Sequence, residues 1–372
     1  RSSDLGNGSP AFNVEQYGGS IGGPIIKDKL HFFAAGDFRH RVTPFSGPTI
    51  GSTTNVGITL DSARRFSNIL NGYGIDPGTF GAFNTSSDAQ NVFAKLTAAT
   101  GKSGTAELSI NYAHGITQDS IAPARAINGD YRLTSAAFAP EASTWAGHGK
   151  WSTLFGEWSN EVLAGYAVTN EPRSTASDAP AIFVTNVGAA GTRLIAGADP
   201  SSQLLTLRQR DAELTDNLTR TFGTHTVTVG AAAELMHFTF GNFSNATGQY
   251  VFFDMDSLAA GRPQRFMRNL ALEPGAATSN FAVHQYSLYA QDAWDVTPKL
   301  SVTFGLRADR SSFPDAPRQN DSLAASGFGI NTSDFISPVT QISPRAGFHW
   351  DVRDGTAVRG GVGIFTGRDP YS

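Results

Sequence analysis

Hydrophobic and polar residues alternate with a period of two along most of this chain, and the stretch from Tyr289 to Arg310 shows the pattern best. Val302, Phe304, Leu306 and Ala308 alternate with Ser301, Thr303, Gly305, Arg307 and Asp309. A two-residue period with one apolar face predicts a β-strand, because successive side chains of a strand point to opposite sides. Upstream, Tyr286, Leu288 and Ala290 alternate with Gln285, Ser287, Tyr289 and Gln291. Thr297-Pro298-Lys299 between the two runs is long enough only for a tight reversal, so the stretch reads as a β-hairpin with Trp294 near its turn.

The hairpin recurs. The first spans about Glu15 to Val42 and turns at Lys27-Asp28-Lys29; Leu30, Phe32, Ala34 and Phe38 share one face. The second pairs roughly Asn91–Ala98 with Thr105–His114 across Gly101-Lys102-Ser103-Gly104. The third turns near Gly156-Glu157, with Val162, Ala164, Tyr166 and Val168 as its apolar face. The fourth turns at Gly223-Thr224; its incoming strand is the least regular, diluted by Asp211, Glu213 and Asp216. The opening stretch is the fifth, and the sixth turns at Arg353-Asp354-Gly355. Six hairpins predict twelve strands.

Connections within hairpins are a few residues. Those between hairpins, at roughly 44–88, 118–142, 174–205, 244–282 and 314–340, are long and rich in Gly, Ser, Asn, Asp and Pro. Strict alternation of short turns with long loops predicts an all-β, transmembrane, antiparallel up-and-down β-barrel, with short periplasmic turns and long extracellular loops. Trp151, Trp158, Trp294 and Trp350 fall near the short turns, where a periplasmic aromatic belt is expected; Trp145 lies elsewhere. A soluble β-sandwich, used for instance as an adhesion module, is the rival, since it also alternates apolar and polar positions. A complete twelve-stranded outer-membrane channel is another.

Composition narrows the function. There are 40 Gly and 26 Phe, and the charged fraction of 16% lies below the roughly 25% of ordinary soluble domains. The net charge of -4 and the lack of a basic patch interleaved with aromatics argue against nucleic acid as a partner. With no cysteine, disulfides, thiolate metal sites and cysteine nucleophiles are excluded. No run of about 18 apolar residues predicts a membrane helix, which leaves barrel strands untouched. Arg1 to Gly8 shows no charged-then-apolar leader, as expected either if a signal peptide has been removed or if the chain starts in the middle of a larger protein.

The first barrel-like stretch, Tyr17 to Phe33 (YGGSIGGPIIKDKLHFF), resembles an early barrel segment of TonB-dependent outer-membrane receptors of the Oar-like group, although His31 stands where an aromatic is usual. Tyr289 to Trp294 (YAQDAW), followed by Leu300 to Arg307 (LSVTFGLR), resembles a later hairpin of the same family. Pro344 to Phe348 and Arg359 to Gly363 share its strand vocabulary. The resemblance implies a barrel of about 22 strands closed by a separate plug. On that reading residues 1–372 are a partial barrel domain that begins near the second strand, ends at Arg368 to Ser372 inside a loop, and lacks plug and C-terminal strands. It further implies a Gram-negative outer membrane, an unknown extracellular ligand, and energy delivered by TonB and its inner-membrane motor proteins. The long loops carry no match that identifies the ligand.

Catalytic and cofactor signals are weak, and neither an enzyme nor a cofactor is expected. The eight histidines show no metal-ligand spacing, Asp254-Met-Asp256 lacks the spaced oxygens of a calcium loop, and no G-x-S-x-G elbow occurs. Gly18-Gly19 and Gly22-Gly23 precede no Lys-Ser/Thr, which reads as a strand and not a phosphate loop. Asp292 matches a characteristic family position without a catalytic role. The remaining candidates are polar residues whose parity places them on the lumen side: Glu107, Asn111, Arg307, Asp309, Arg345 and Arg359. Gly230, Gly305, Gly347, Gly361 and Gly363 share that side.

Overall fold

A computed structural model describes residues 12–45, 47–51, 56–121, 126–127, 129–188, 191–272, 275, 277–334 and 338–366. The expectations for Arg1 to Gly8 and for Arg368 to Ser372 lie outside the described residues. The alternating segments form twelve strands: β1 (Asn13–Ile26), β2 (Leu30–Pro44), β3 (Asn84–Thr100), β4 (Gly104–Thr117), β7 (Phe138–Phe155), β8 (Trp158–Thr175), β11 (Leu205–Phe222), β12 (His225–Asn242), β15 (Ser279–Thr297), β16 (Leu300–Ser312), β17 (Thr340–Arg353) and β18 (Thr356–Gly363). They lie side by side in chain order in one 12-stranded sheet, β1 at one edge and β18 at the other. Every neighbouring pair is antiparallel. This is an up-and-down barrel wall, and β1 and β18 do not pair with each other.

The hairpins turn where the sequence reading placed them. Gly156 and Gly223 hold φ of 63° and 59°, a conformation in which a Cβ is strained, so glycine suits these two-residue reversals. Strands reach 19 residues, well beyond the roughly ten needed to cross a bilayer. They therefore project past the hydrocarbon layer at the end opposite the turns.

The long connections are not irregular. They supply β5 (Ala126–Ile127), β6 (Asp130–Arg132), β9 (Ala181–Val184), β10 (Arg193–Ala196), β13 (Gln249–Phe252) and β14 (Arg265–Met267), plus the helices α1 (Leu60–Gly72), α2 (Met255–Ala259) and α3 (Asp321–Ala324). The six short strands form a second sheet in the order β14-β13-β9-β10-β6-β5. Its β13–β9 and β10–β6 pairs are parallel, a geometry that no hairpin can make, so different loops must meet to build it. Phe66 and Leu70 of α1 and Met255 and Leu258 of α2 pack with Tyr131, Ile182, Val184, Leu194 and Phe252 into a buried core. Thr59 starts α1 by accepting the Ser62 amide at 3.1 Å. The result is a small α/β cap at the loop end of the wall.

Candidate functional site

Strand register divides the wall into two faces. Phe304 is level with Ala346 and Asp292; the same face holds Leu306, Leu288, Val229, Ile110 and Leu108. These apolar residues are open: Leu288 is 67% exposed and Phe304 51%. Among the described residues no second sheet covers them, as a sandwich requires. An apolar face of this extent without a protein partner suits hydrocarbon as its solvent.

Aromatic rings bracket this outer face. Near the hairpin turns stand Trp151, Trp158, Trp294 and Trp350, with Phe155 and Phe222. Toward the loop end stand Trp145, Tyr112, Tyr166 and Tyr286. Trp145 and Tyr112 are in contact, their ring centroids 4.3 Å apart, so the tryptophan set aside in the sequence reading belongs to a second ring. Roughly eight residues of tilted strand separate the rings, about 20 Å, close to the apolar band of outer-membrane barrels.

Toward the hairpin turns, two acids interrupt the apolar part of the outer face. Asp216 accepts from Asn160 Nδ2 at 2.5 Å. Asp292 lies 2.7 Å from His225 Nδ1, and the His225 ring stacks against Trp294 with centroids 5.4 Å apart. Asp211 and Glu213, which also disturb the pattern of β11, lie on the opposite, inner face.

The six lumen candidates all fall on the inner face. They sort into three groups. Glu107 sits 3.8 Å from Lys95 and is level with Lys150, which in turn contacts Glu161 at 2.6 Å. Asn111, level with Ala146, lies on this same part of the wall. Arg307 donates Nε to both Asp309 oxygens at 2.9 and 3.0 Å and Nη2 to Ser287 at 2.8 Å. Ser287 donates to the buried Asp309 at 2.5 Å, and the Arg307 guanidinium lies 5.3 Å over the Tyr289 ring. Tyr289 completes the group by donating its hydroxyl to Asn217. Arg345 and Arg359, on β17 and β18, have no carboxylate partner among the described residues.

Glycines make this lining possible. A Cβ at Gly230 would collide with the Tyr289 ring, and one at Gly165 with the Glu213 side chain. At Gly305 it would meet Arg345 Cγ at 3.0 Å. Each glycine is thus a seat on which a long polar side chain from the next strand lies flat against the wall. Tyr289 crosses β12 over Gly230 to reach Asn217 on β11; Glu213 crosses β8 over Gly165 toward His148, 3.6 Å away on β7. Sequence parity finds the inner-face glycines. Which side chain rests on which requires the register.

Above the wall, side chains tie the loops of the cap together. Tyr131, 1% exposed, donates its hydroxyl to the Phe80 carbonyl and accepts from the Ile50 amide at 3.1 Å. Tyr73 donates to the Leu258 and Ala259 carbonyls at 2.9 and 3.0 Å, and Thr185 donates to the Phe253 carbonyl at 2.7 Å. Asp254 caps α2 and Asp256 pairs with Arg65 of α1, so both acids already serve the cap. The amide of Ser257 donates to Asp254 at 2.7 Å and, with the Ser257 hydroxyl, holds this carboxyl below its ordinary pKa. No group of three metal-ligating side chains occurs among the described residues.

Residues 151–372 match the protein family described as the outer membrane beta barrel domain. No curated protein matches the sequence. Among solved structures the chain is similar to the outer membrane transporter YddB from Escherichia coli, with 13% identity and a TM-score of 0.58 over 92% of this chain and 36% of that one. It is also similar to the ferripyoverdine receptor of the outer membrane of Pseudomonas aeruginosa, with 11% identity and a TM-score of 0.55 over 97% of this chain and 42% of the other. A third is the siderophore receptor PirA from Acinetobacter baumannii, with 14% identity and a TM-score of 0.50 over 94% and 40%. At such identities the likeness is one of fold. The chain spans about two fifths of the length of these structures.

Proposed function

Because the chain belongs to the outer membrane beta barrel domain family, and so lies in the outer membrane, we propose that it forms part of the wall and the extracellular cap of a TonB-dependent receptor. In this reading residues 1–372 belong to one partial barrel domain with its loops, and a plug and further strands complete the passage. The cap and remaining loops recognise the ligand. TonB and its inner-membrane motor proteins then supply the energy for uptake. The role is recognition and passage, with no chemistry performed on the ligand.

The observation that carries the reading is the two-sidedness of the wall. Apolar side chains open outward, whereas the inner face is polar and its long side chains lie flat on glycine seats. Such a lining leaves room for a plug or a solute while offering hydrogen bonds to it. Glu107, Asn111, Arg307, Asp309, Arg345 and Arg359 are assigned to that passage, and Trp151, Trp158, Trp294 and Trp350 to the periplasmic interface. Structures of similar fold include a transporter, a siderophore receptor and a ferripyoverdine receptor, which supports uptake as the activity.

The test is genetic. Deleting the full-length gene should abolish growth on one scarce nutrient from a panel of ferric chelates and oligosaccharides, and deleting TonB should have the same effect. Uptake that depends on the gene but persists without TonB would replace this reading with a passive channel.

A further inference from the structure

The outer face is divided by charge at its loop end, and this division is independent of transport. On β1 to β7 the charged groups there are Glu15, Asp88 and Glu141, set beside His40 and His114. His40 contacts Asp88 at 2.5 Å, and His114 contacts Glu141 at 3.0 Å. On β11 to β16 the corresponding positions are Arg208, Arg210 and Arg310, with His237 and His284 between them on β12 and β15. The three arginines are exposed and make no ion pair among the described residues. Asp315, beyond the end of β16, accepts the Ala282 amide at 2.6 Å.

Depth gives these arginines a meaning. Arg310 is level with Tyr286, and Arg210 stands one outer-face position beyond the level of Tyr166, both in the upper aromatic ring. They therefore lie where hydrocarbon gives way to the headgroups of the outer leaflet. Directly below Arg310 the outer face is hollowed into a groove of about 520 Å³. Ala231, Ala233 and Ala308 form its floor between the larger Leu214 and Leu288, Arg310 is at its rim, and Asp216, held by Asn160, lines its turn-side end, away from the arginines. Cationic forks above an apolar groove, both facing the membrane, match a lipid that carries phosphate on its headgroup.

We infer that Arg208, Arg210 and Arg310, with the groove below them, form a binding site for an outer-leaflet lipid whose headgroup carries phosphomonoester groups. The arginines hold phosphate through bidentate, charge-assisted hydrogen bonds, for which guanidinium is better suited than ammonium. One acyl chain lies along the alanine floor. The acidic arc on β1 to β7 repels the same headgroup, so the lipid is held on one side of the barrel. The inference needs the outer-membrane placement of the wall but not the uptake reading.

The test uses the full-length protein, purified in detergent and examined by native mass spectrometry after exposure to defined lipids. Bis-phosphorylated lipid A should be retained about tenfold more strongly than its dephosphorylated form or phosphatidylcholine. The combined substitution Arg208→Gln, Arg210→Gln and Arg310→Gln should remove most of that preference. Ala231→Phe, which fills the groove, should weaken retention with the arginines intact, whereas Glu141→Gln should leave it unchanged. Resistance to SDS without heating verifies that each variant is folded. Equal retention of phosphorylated and dephosphorylated lipid by the unmodified protein would overturn the inference, whatever the variants do. So would equal retention of phosphatidylglycerol, or displacement of the lipid by millimolar inorganic phosphate.

Discussion

The wall and the cap use one hydrophobic effect in opposite directions. In the cap, Phe66 and Leu70 are fully buried beneath the small sheet, as in a soluble domain. In the wall, Phe304, Leu306 and Leu288 are among the most open residues, and it is Asp309 and Ser287 on the other face that are buried. The solvent explains the inversion. Cap side chains leave water by packing on one another, whereas wall side chains leave it by entering lipid. The backbone obeys the same division. A membrane-spanning strand must satisfy its amides laterally, so the wall is one uninterrupted antiparallel sheet. Above the bilayer water can satisfy loose ends, and short mixed strands with helices suffice.

This contrast can be broken first at its strongest point. Phe66→Ala empties the centre of the cap core and should cost the cap about 3–5 kcal/mol. Limited proteolysis should then cut the loops while the wall keeps its resistance to SDS; simultaneous loss of both would mean that cap and wall fold as one unit. Phe304→Arg places a charge in the lipid band and should destabilise the wall by about 2–4 kcal/mol, read from unfolding in phospholipid vesicles. The neighbouring inner-face change Thr303→Arg should cost far less, and equal costs would contradict the assignment of the two faces.

A smaller effect sharpens the account of the inner wall. Gly230→Ala should displace the Tyr289 ring and cost about 1–3 kcal/mol as overpacking. Tyr289→Ala in the same chain should relieve most of that loss; additive costs would show that the glycine acts otherwise. The mildest prediction concerns acid. The Asp254 carboxyl titrates below its ordinary range in the folded cap, so its stabilising effect is complete above the unfolded pKa and fades as pH falls through the folded one. Cap proteolysis should therefore rise at pH below about 4, where the unfolded carboxyl also protonates. In Asp254→Asn the part of that rise due to this group should disappear.

Much of the wall was legible because a strand has a period of two and a lipid-facing sheet amplifies it. The alternation from Ser301 to Asp309 predicts strand, parity and outer face together, and Gly223-Thr224 marks a turn from its residue types alone. The strand Leu205–Phe222 was harder to read because its inner acids and the outer-face Asp216 mix two signals. Asp216 is accommodated by Asn160, a partner from another strand that local pattern cannot reveal. The lumen groups show the same limit. Arg307 and Asp309 could be assigned to a face, but not Tyr289 lying across Gly230 to reach Asn217. The cap was invisible for a stronger reason: its strands are three or four residues long and come from separate loops, too short to carry any period.

Taken alone, the chain determined which segments are extended, where they reverse and which side of each is apolar, since these depend on neighbours a few residues apart. Tertiary structure decided how side chains are shared between strands and that four loops condense around Phe66 and Tyr131 into one core. Those outcomes rest on contacts between residues as distant as Tyr73 and Leu258, and such partners are chosen by packing in three dimensions.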